Sequence, residues 1–191
     1  MRLIVGIGGA SGVIYGIRLL EILRATEAVE THLIMSQTAR MNVAIETDWT
    51  TPQVEALADT VHRNTDIAAA VASGSFRTDG MIVPACSMKT LSAIAYAHAD
   101  GLLSRAADVV LKERRRLVLM PRETPLHLGH CELMAQACRL GAVIAPPVPA
   151  FYTHPASLDE MVTQTVSRVL DLFDLDPGVA KRWHGPRGAE P

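Results

Sequence analysis

Short apolar runs alternate with helical patterns along this chain of 191 residues, and that alternation constrains its fold more than any other feature. Each run has the length and composition of a strand buried inside a parallel sheet. Between the runs, as over residues 13–23, apolar side chains fall three and four apart, which is typical of helices that pack on one face. Such repeats form right-handed βαβ units, so the sequence predicts a doubly wound parallel sheet in a three-layer α/β/α arrangement.

The pattern gives approximate boundaries for these elements. The five predicted strands are residues 2–7, 31–35, 81–84, 116–120 and 142–145, and the helices after the first are 90–97, 106–112, 126–140 and 158–173. The length suits one domain over residues 1–191, with 185–191 as a flexible tail. Ligands of doubly wound sheets bind beyond the carboxyl ends of the strands, which is where we look for a site.

Composition excludes several classes of protein. A net charge of −2, from 18 basic and 20 acidic residues, argues against a nucleic-acid binder. No apolar run approaches the roughly 20 residues of a membrane-spanning helix, and no leader pattern precedes the first strand, which predicts a cytoplasmic protein. The three cysteines form no C-x-x-C motif, and we expect them to be reduced and buried.

The first predicted strand ends in a glycine-rich loop, residues 8–12, that runs into a helix. Glycines allow a ligand close to the backbone, and the helix N-terminus offers N–H groups to an anion, although such a loop is sometimes only a tight turn. The second strand ends at Ser36, without the acidic residue that binds a dinucleotide ribose. A hydroxyl there favours a mononucleotide such as FMN over NAD.

Polar side chains also follow the third and fourth of these strands. Ser87, Lys89 and Thr90 form a rim rich in hydrogen-bond donors, although Ser87 also suits an ordinary helix N-cap. Arg122 and Glu123 follow the fourth strand, where sites form in this kind of sheet. Carboxylates beside phosphate-binding arginines are candidates for proton transfer, with a simple surface role as the alternative.

One pair of histidines has a spacing that can bind a metal. His127 and His130 are three residues apart on a predicted helix and are followed by Cys131, but no third ligand stands out. We therefore expect packing or polar contacts and predict no metal site.

Nine ordered segments together resemble the UbiX-like flavin prenyltransferases, over nearly the whole chain. They are residues 9–12, 46–48, 73–76, 86–90, 105–109, 111–115, 122–125, 146–152 and 182–183. One departure is Gly8, where the family usually has Ser or Thr. The resemblance implies a flavodoxin-like Rossmann fold, a single flavoprotein domain, no metal, and a dodecamer with its sites at subunit interfaces.

The resemblance also implies a reaction. The family joins a dimethylallyl group, delivered as its monophosphate, to reduced FMN at N5 and C6 and releases phosphate. The product is the prenylated FMN used by UbiD-like decarboxylases, in ubiquinone synthesis or in the decarboxylation of aromatic acids. The alternatives are a flavin-carrying subunit, or a flavin-dependent cysteine decarboxylase of the same superfamily, whose catalytic histidine has no counterpart in His32 or His62.

The matching motifs assign residues to three roles. The residues expected to hold FMN are Gly9, Ala10, Ser11, Ser36, Ser87, Met88, Lys89, Thr90 and Arg122. Those expected to bind the allylic phosphate are Arg105, Lys112, Tyr152, Arg168 and Trp183. The catalytic candidates are Ser11, near flavin N5, Lys112, and the carboxylates Glu46 and Glu123, with the released phosphate as an alternative base.

Overall fold

A computed structural model describes residues 1–185 of the chain. Its backbone contacts divide the protein into two compact units, Met1–Pro147 and Val148–Pro191, which are described separately. The predicted tail lies outside the described residues except for Gly185. The prediction of a single domain stays a prediction.

The first unit is built on a six-stranded sheet in which all paired strands are parallel. The strands are β1 (Arg2–Ile7), β2 (Glu30–Met35), β3 (Thr60–Arg63), β4 (Gly80–Cys86), β5 (Arg116–Pro121) and β6 (Val143–Ile144). Their order across the sheet is β3-β2-β1-β4-β5-β6. Without the edge strand β3, this is the flavodoxin strand order. Strands β2 and β3 are added on one side of β1 and strands β4 to β6 on the other, so the order reverses between β1 and β4. The predicted doubly wound fold is confirmed.

All five predicted strands are present, and β3 is the strand that the sequence pattern missed. It has four residues, lies at the edge of the sheet, and alternates between half-buried and exposed side chains. A run with a single aliphatic residue, Val61, carries little of the signal that marks a buried strand. By contrast, every residue of β4 is buried.

Helices cover the sheet as the periodicity predicts. In this unit they are α1 (Val13–Arg24), α2 (Gln37–Glu46), α3 (Thr51–Glu55), α4 (Met88–Ala95), α5 (Leu102–Lys112) and α6 (Leu128–Leu140). Side chains such as Ile4, Met81 and Leu117 are fully or almost fully buried between sheet and helices. This core holds the carboxyl ends of the strands in fixed positions, where the loops that follow them can form a site.

Helix α6 is an exception, because Ala137 is its one buried residue and Leu128 is 73% exposed. The prediction that all three cysteines are buried is therefore wrong. Cys86 is buried in β4, whereas Cys131 and Cys138 are exposed on α6. Their spacing of seven places both on one face of the helix, but that face does not pack on the core.

The second unit is helical in its described part. Helix α7 (Leu158–Leu170) lies between short 3-10 helices at Phe151–Thr153 and Asp171–Phe173. The buried Gln164 ties the later chain to α7, because its carboxamide donates to the carbonyl of Lys181 and accepts from the same residue's amide. Throughout residues 1–185, no helix combines the length and the apolar character needed to cross a membrane.

Candidate active site

A cavity of about 330 Å³ opens at the carboxyl ends of the strands in the first unit. It lies at the N-termini of three helices, α2, α4 and α5, beside the loop after β1. Its lining residues are Gly9, Ser36, Gln37, Thr38, Asn64, Ser87, Lys89, Thr90, Ala93, Asp100, Gly101, Leu103 and Ser104. Five of the nine residues expected to hold FMN, namely Gly9, Ser36, Ser87, Lys89 and Thr90, are among them.

Two serines shape this cavity by capping the helices that begin there. The Ser36 hydroxyl accepts a hydrogen bond from the amide of Ala39, 3.0 Å away, at the start of α2. The Ser87 hydroxyl accepts from the amide of Thr90 at 3.2 Å and lies 3.1 Å from its hydroxyl. Each cap satisfies one amide of a first turn, while the Lys89 charge lines the same space. N-terminal amides, hydroxyls and an ammonium group suit a phosphate.

Asn64 holds the third helix N-terminus. Its backbone carbonyl accepts from the amide of Leu102 at 2.8 Å, and its side-chain oxygen accepts from the amide of Leu103 at 2.9 Å. Two amides of the first turn of α5 are thus already satisfied. Residue 64 directly follows β3, so sequence reasoning missed this part of the site together with the strand. The lining residues that it missed are Gln37, Thr38, Asn64, Ala93, Asp100, Gly101, Leu103 and Ser104.

The glycine loop packs too closely for side chains at its start. A Cβ atom on Gly8 would lie 2.5 Å from the carbonyl oxygen of Ala85, and one on Gly9 would lie 2.9 Å from the Cβ of Thr38. The amides of Gly8 and Ala10 donate to the carbonyls of Pro84 and Ala85, at 3.1 Å each. The loop is therefore held tightly against the end of β4 and the first turn of α2.

Glu46, the last residue of α2, binds the end of this loop. Its Oε2 atom accepts hydrogen bonds from the amides of Gly12 at 2.7 Å and Val13 at 3.2 Å. The expectation that these first amides of α1 are free for a ligand anion is therefore wrong, because the protein's own carboxylate occupies them. Glu46 is exposed, and it lies against the segment that carries Ser11.

Arg122 also reaches this loop. Its Nε donates to the carbonyl of Ser11 at 3.0 Å, and its backbone amide donates to the carbonyl of Cys86 at 3.1 Å. The next residue, Glu123, is exposed, and its Oε1 accepts from the amide of Thr124. The ends of β1 and β5 thus bring Ser11 and Arg122 together, and Glu46 binds the amide of the next residue, Gly12. Ala10, Ser11 and Arg122 are not among the residues that line the cavity, and we call the contact between Ser11 and Arg122 the Ser11 wall.

The last residue of β4, Cys86, and the first residue of α4, Met88, both face inward. Met88 packs against the buried core and is absent from the cavity lining. Burial raises the pKa of the Cys86 thiol to about 12. At neutral pH this cysteine is a neutral thiol, so it is not suited to act as a nucleophile.

Lys112 lies at the other end of the sheet. It is the last residue of α5, whose first turn lines the cavity, and nine residues of helix separate it from Leu103 by about 14 Å. Its ammonium pairs with Glu113 beside Gly74, and this contact lowers the pKa of the Glu113 carboxyl. One copy of the chain does not bring Lys112 to the loop that carries Ser11.

Arg105 is likewise engaged away from the cavity. Its Nε donates to the carbonyl of Ala72 at 3.3 Å, and its NH1 pairs with Asp108 at 2.7 Å. These contacts fix the 3-10 helix Ala70–Ala72 against α5.

The remaining candidates belong to the second unit. The rings of Tyr152 and Trp183 meet edge to face, with centroids 5.6 Å apart, and both side chains are exposed. Arg168 pairs with Asp171, which also accepts two hydrogen bonds from Arg182. Three of the residues expected to bind the allylic phosphate, Tyr152, Arg168 and Trp183, thus lie in the second unit. The same unit holds the positive charge of Arg182.

No group of three or more His, Cys, Asp or Glu side chains in residues 1–185 is arranged to hold a metal ion. The two helix histidines contact each other, with the rings of His127 and His130 centred 3.6 Å apart. The Nδ1 atom of His130 is buried there and has no hydrogen-bond partner among the described residues.

Comparison with known proteins bears directly on this site. A flavoprotein family model matches residues 1–169. The flavin prenyltransferase UbiX of Escherichia coli strain K12 is 60% identical over 186 residues, which cover 96% of this chain and 98% of the relative.

Solved structures of UbiX-like proteins have the same fold as this chain. A dodecameric FMN-dependent UbiX-like decarboxylase from Escherichia coli O157:H7 superimposes with a TM-score of 0.95 at 53% identity, covering 97% of this chain and 100% of that one. AnUbiX (PadA1), solved with FMN and dimethylallyl pyrophosphate, also gives a TM-score of 0.95, at 54% identity over 97% of this chain and 98% of that one.

Proposed function

Because this chain belongs to the flavoprotein family and to its UbiX flavin prenyltransferases, we propose that it joins a dimethylallyl group to reduced FMN. The observation that carries the proposal is the cavity where the N-termini of α2 and α4 meet the glycine loop. A relative of the same fold at 54% identity was solved with FMN and dimethylallyl pyrophosphate. The alternatives, a flavin carrier and a flavin-dependent decarboxylase, lack a comparable use for the cationic residues away from the cavity.

The cavity fits FMN. Its Ser36, Ser87 and Thr90 hydroxyls and the Lys89 ammonium supply hydrogen bonds and charge for a phosphate and a ribityl chain. Gly9 lines the cavity without a side chain, and a Cβ atom there would lie 2.9 Å from the Cβ of Thr38. In this proposal the phosphate binds at the N-termini of α2 and α4, because Glu46 already occupies that of α1.

Reduced FMN supplies the two nucleophilic positions, N5 and C6, and the allylic C–O bond breaks with release of phosphate. The protein then has to neutralise a leaving group that carries close to two negative charges. Lys112 and Arg168 supply positive charge for this task and Tyr152 supplies a hydroxyl donor, with Arg105 and Arg122 as further cations. Trp183 stabilises positive charge that develops on the allyl group.

The second bond, to C6, forms at the expense of the carbon–carbon double bond of the prenyl group, which takes up a proton, and C6 gives up its own proton. Glu46 and Glu123 are the proposed acid–base groups, because both flank the wall formed by Ser11 and Arg122. Glu46 has a second task, since the same carboxylate holds the loop amides. The released phosphate is the alternative base.

In this proposal a second copy of the chain completes the reaction site. Lys112 cannot serve the Ser11 loop of its own copy, because it lies at the far end of α5. A dodecameric relative of the same fold supports an assembly in which the lysine of one copy reaches the cavity of another.

The product recipient we propose is a UbiD-like decarboxylase, and the proposed location is the cytoplasm. The location is supported by Cys86, Cys131 and Cys138, which are all free thiols. A reducing compartment maintains this state.

The test is anaerobic incubation of the protein with reduced FMN and dimethylallyl monophosphate, followed by mass analysis of the flavin. We expect a flavin heavier by one dimethylallyl group, with release of phosphate, and no effect of a chelator. Dimethylallyl pyrophosphate in a parallel reaction identifies the preferred donor. Tight flavin binding without a mass change would favour the carrier, and carbon dioxide release from a cysteine peptide would favour the decarboxylase.

A further inference from the structure

Helix α2 presents one stripe of side chains to the glycine loop. Thr38, Asn42 and Glu46 are each four residues apart, so they lie on the same face of the helix. Thr38 lies against Gly9, Asn42 contacts the middle of the loop, and Glu46 contacts its end. The stripe thus runs along the loop from the cavity to the start of α1.

Asn42 contacts the loop's carbonyls. Its Nδ2 atom donates to the carbonyl of Ala10 at 3.1 Å and lies 3.4 Å from that of Gly9. Only the nitrogen of a carboxamide can donate to carbonyl oxygens, so the loop selects this orientation of the side chain. One turn later, Glu46 accepts from the amides of Gly12 and Val13. Asn42 thus donates to backbone carbonyls before Ser11, and Glu46 accepts from backbone amides after it.

The loop is therefore held on both sides of Ser11. Arg122 donates to the Ser11 carbonyl itself, and the Ala10 amide is bound to the carbonyl of Ala85. Every one of these contacts takes a backbone group, and none of them takes the Ser11 hydroxyl. The backbone is thus held at several points, while Ser11 itself is an exposed residue.

Asn42 is a poor choice for helix stability alone. Asparagine is a weaker helix former than alanine or leucine, and position 42 lies in the middle of α2, where a half-buried apolar residue would be tolerated. The residue is explained by its contact with the loop.

We propose that Asn42 is a positioning residue for prenyl transfer, which fixes the carbonyls of Gly9 and Ala10 and so orients Ser11 at the flavin. The inference rests on the proposed function, because it assigns Ser11 to the flavin. It assigns Asn42 no direct contact with the flavin or the allylic phosphate.

The experiment compares Asn42→Leu and Asn42→Asp with wild type and with Arg40→Gln as the control. Arg40 is on the same helix, but its guanidinium pairs with Glu55 on α3. For Asn42→Leu we expect kcat to fall about tenfold at saturating FMN, as for one lost hydrogen bond, with an unchanged KM for dimethylallyl monophosphate. The visible absorption bands of bound FMN should shift, and Arg40→Gln should match wild type in all three measurements.

Asn42→Asp keeps the shape of the side chain and tests its donor. At pH 8 its carboxylate faces two carbonyls, so we expect a larger kcat loss than in Asn42→Leu. The two carbonyl oxygens disfavour the charged carboxylate and raise its pKa above the ordinary value of about 3.9. Partial protonation at pH 5.5 then restores a donor, so the ratio of variant to wild-type kcat should rise. A ratio that does not change with pH would overturn the proposal, as would wild-type kcat in Asn42→Leu or equal losses in Arg40→Gln.

The spectrum separates this inference from the proposed function. If wild-type protein bound FMN without prenylating it, the proposed function would fail, but a shifted FMN spectrum in Asn42→Leu and an unshifted one in Arg40→Gln would still support the positioning role. Identical spectra in all three proteins would overturn it. Thermal unfolding of each variant shows that the comparison is between folded proteins.

Discussion

The carboxylate of Glu46 lies 2.7 Å from the backbone nitrogen of Gly12, where the glycine loop becomes helix α1. A glycine loop before a helix commonly receives a ligand phosphate at this point. Here an anion of the protein takes that place, and for this reason we propose the neighbouring helices α2 and α4 as the phosphate site. The loop itself is left to present Ser11.

This contact predicts a stability cost at Glu46. In Glu46→Ala two amides lose their acceptor, although water partly replaces it because the residue is exposed. We expect a loss of about 1 kcal/mol in the free energy of unfolding, measured by urea titration. Glu46→Gln keeps an accepting oxygen and should lose less, while slowing ring closure if the carboxylate moves the proton. Equal stability of all three proteins would contradict the contact.

Gly8 gives a second prediction, because the loop after β1 leaves no room for a side chain at this position. A Cβ atom at this position would lie 2.5 Å from the backbone oxygen of Ala85, so the ends of β1 and β4 must separate to accept it. Gly8→Ser should lower stability by about 1–3 kcal/mol and weaken FMN binding. Gly129→Ser is the control for the loss of a glycine, since a Cβ atom there meets only the side-chain ring of the exposed His127, at 3.0 Å. A Gly8→Ser protein as stable as wild type would show that the strand ends adapt freely.

The fold was largely predictable, because buried parallel strands leave a continuous apolar signal. The apolar signal misleads for elements that are not buried. The edge strand β3 has half-exposed side chains, and α6 carries the apolar residues of a packed helix while exposing most of them. Sequence periodicity records which residues are apolar, but it does not record what covers them.

The site was predictable where it follows the predicted strands. Ser36 and Ser87 lie at the cavity because they end β2 and β4, and Asn64 was missed because β3 was missed. The position of Lys112 could not be predicted for a different reason. A motif match assigns it a role, but only the length of α5 shows that one copy of the chain cannot bring it to Ser11.

A third prediction separates binding of FMN from binding of the allylic phosphate. Arg168 and Tyr152 belong to the second unit, and the cavity that fits FMN is lined by the first. Arg168→Ala and Tyr152→Phe should each slow prenylation at least tenfold, as for a lost charge-assisted hydrogen bond, with FMN affinity within a few-fold of wild type. Fluorescence quenching measures FMN binding, and turnover is measured with chelator present. Arg139→Ala on α6 is the control. Joint loss of FMN binding and turnover in Arg168→Ala would contradict separate binding groups.

A chain of ionisable groups at β2 and β3 gives a prediction for pH. Nδ1 of the buried His32 lies 2.9 Å from Nε2 of His62, and its Nε2 lies 2.9 Å from a carboxylate oxygen of Glu30. Burial lowers the pKa of His62, and the charge of His32 lowers it further, while Asp66 acts in the opposite direction. The pKa of Glu30 is lowered too, by hydrogen bonds from Arg2 and His32.

Because the pKa of His62 is lower in the folded protein, this histidine is protonated at a higher pH in the unfolded chain than in the folded one. Stability should therefore decline as the pH falls from 7 through the ordinary histidine value of 6.5. Loss from Glu30 begins only nearer pH 4.5, so urea titrations at pH 7 and 5.5 isolate the histidine. His62→Gln should reduce the difference between the two, whereas His98→Gln, in the exposed segment after α4, should not. An unchanged pH slope in His62→Gln would exclude His62 as its source.

The last prediction concerns how many copies of the chain make one reaction site. Lys112 lies about 14 Å along α5 from the cavity of its own copy, whereas Glu123 follows β5 beside the Ser11 wall. If a shared site takes its lysine from one copy and its carboxylate from another, Lys112→Met and Glu123→Gln proteins are each impaired alone but complement each other when mixed. Random mixing in equal amounts leaves about a quarter of the sites with both native residues, so turnover should recover to about a quarter of wild type.

The mixing is done during refolding or co-expression, so that the two variants assemble at random. A chain that carries both substitutions, mixed with wild type, is the matched control, because sites in that mixture pair native residues in the same proportion. Recovery in the mixture of single variants places Lys112 and Glu123 of one site on different copies. Turnover no higher than that of the separate variants would mean that both residues serve the cavity of one chain, and would contradict the shared site.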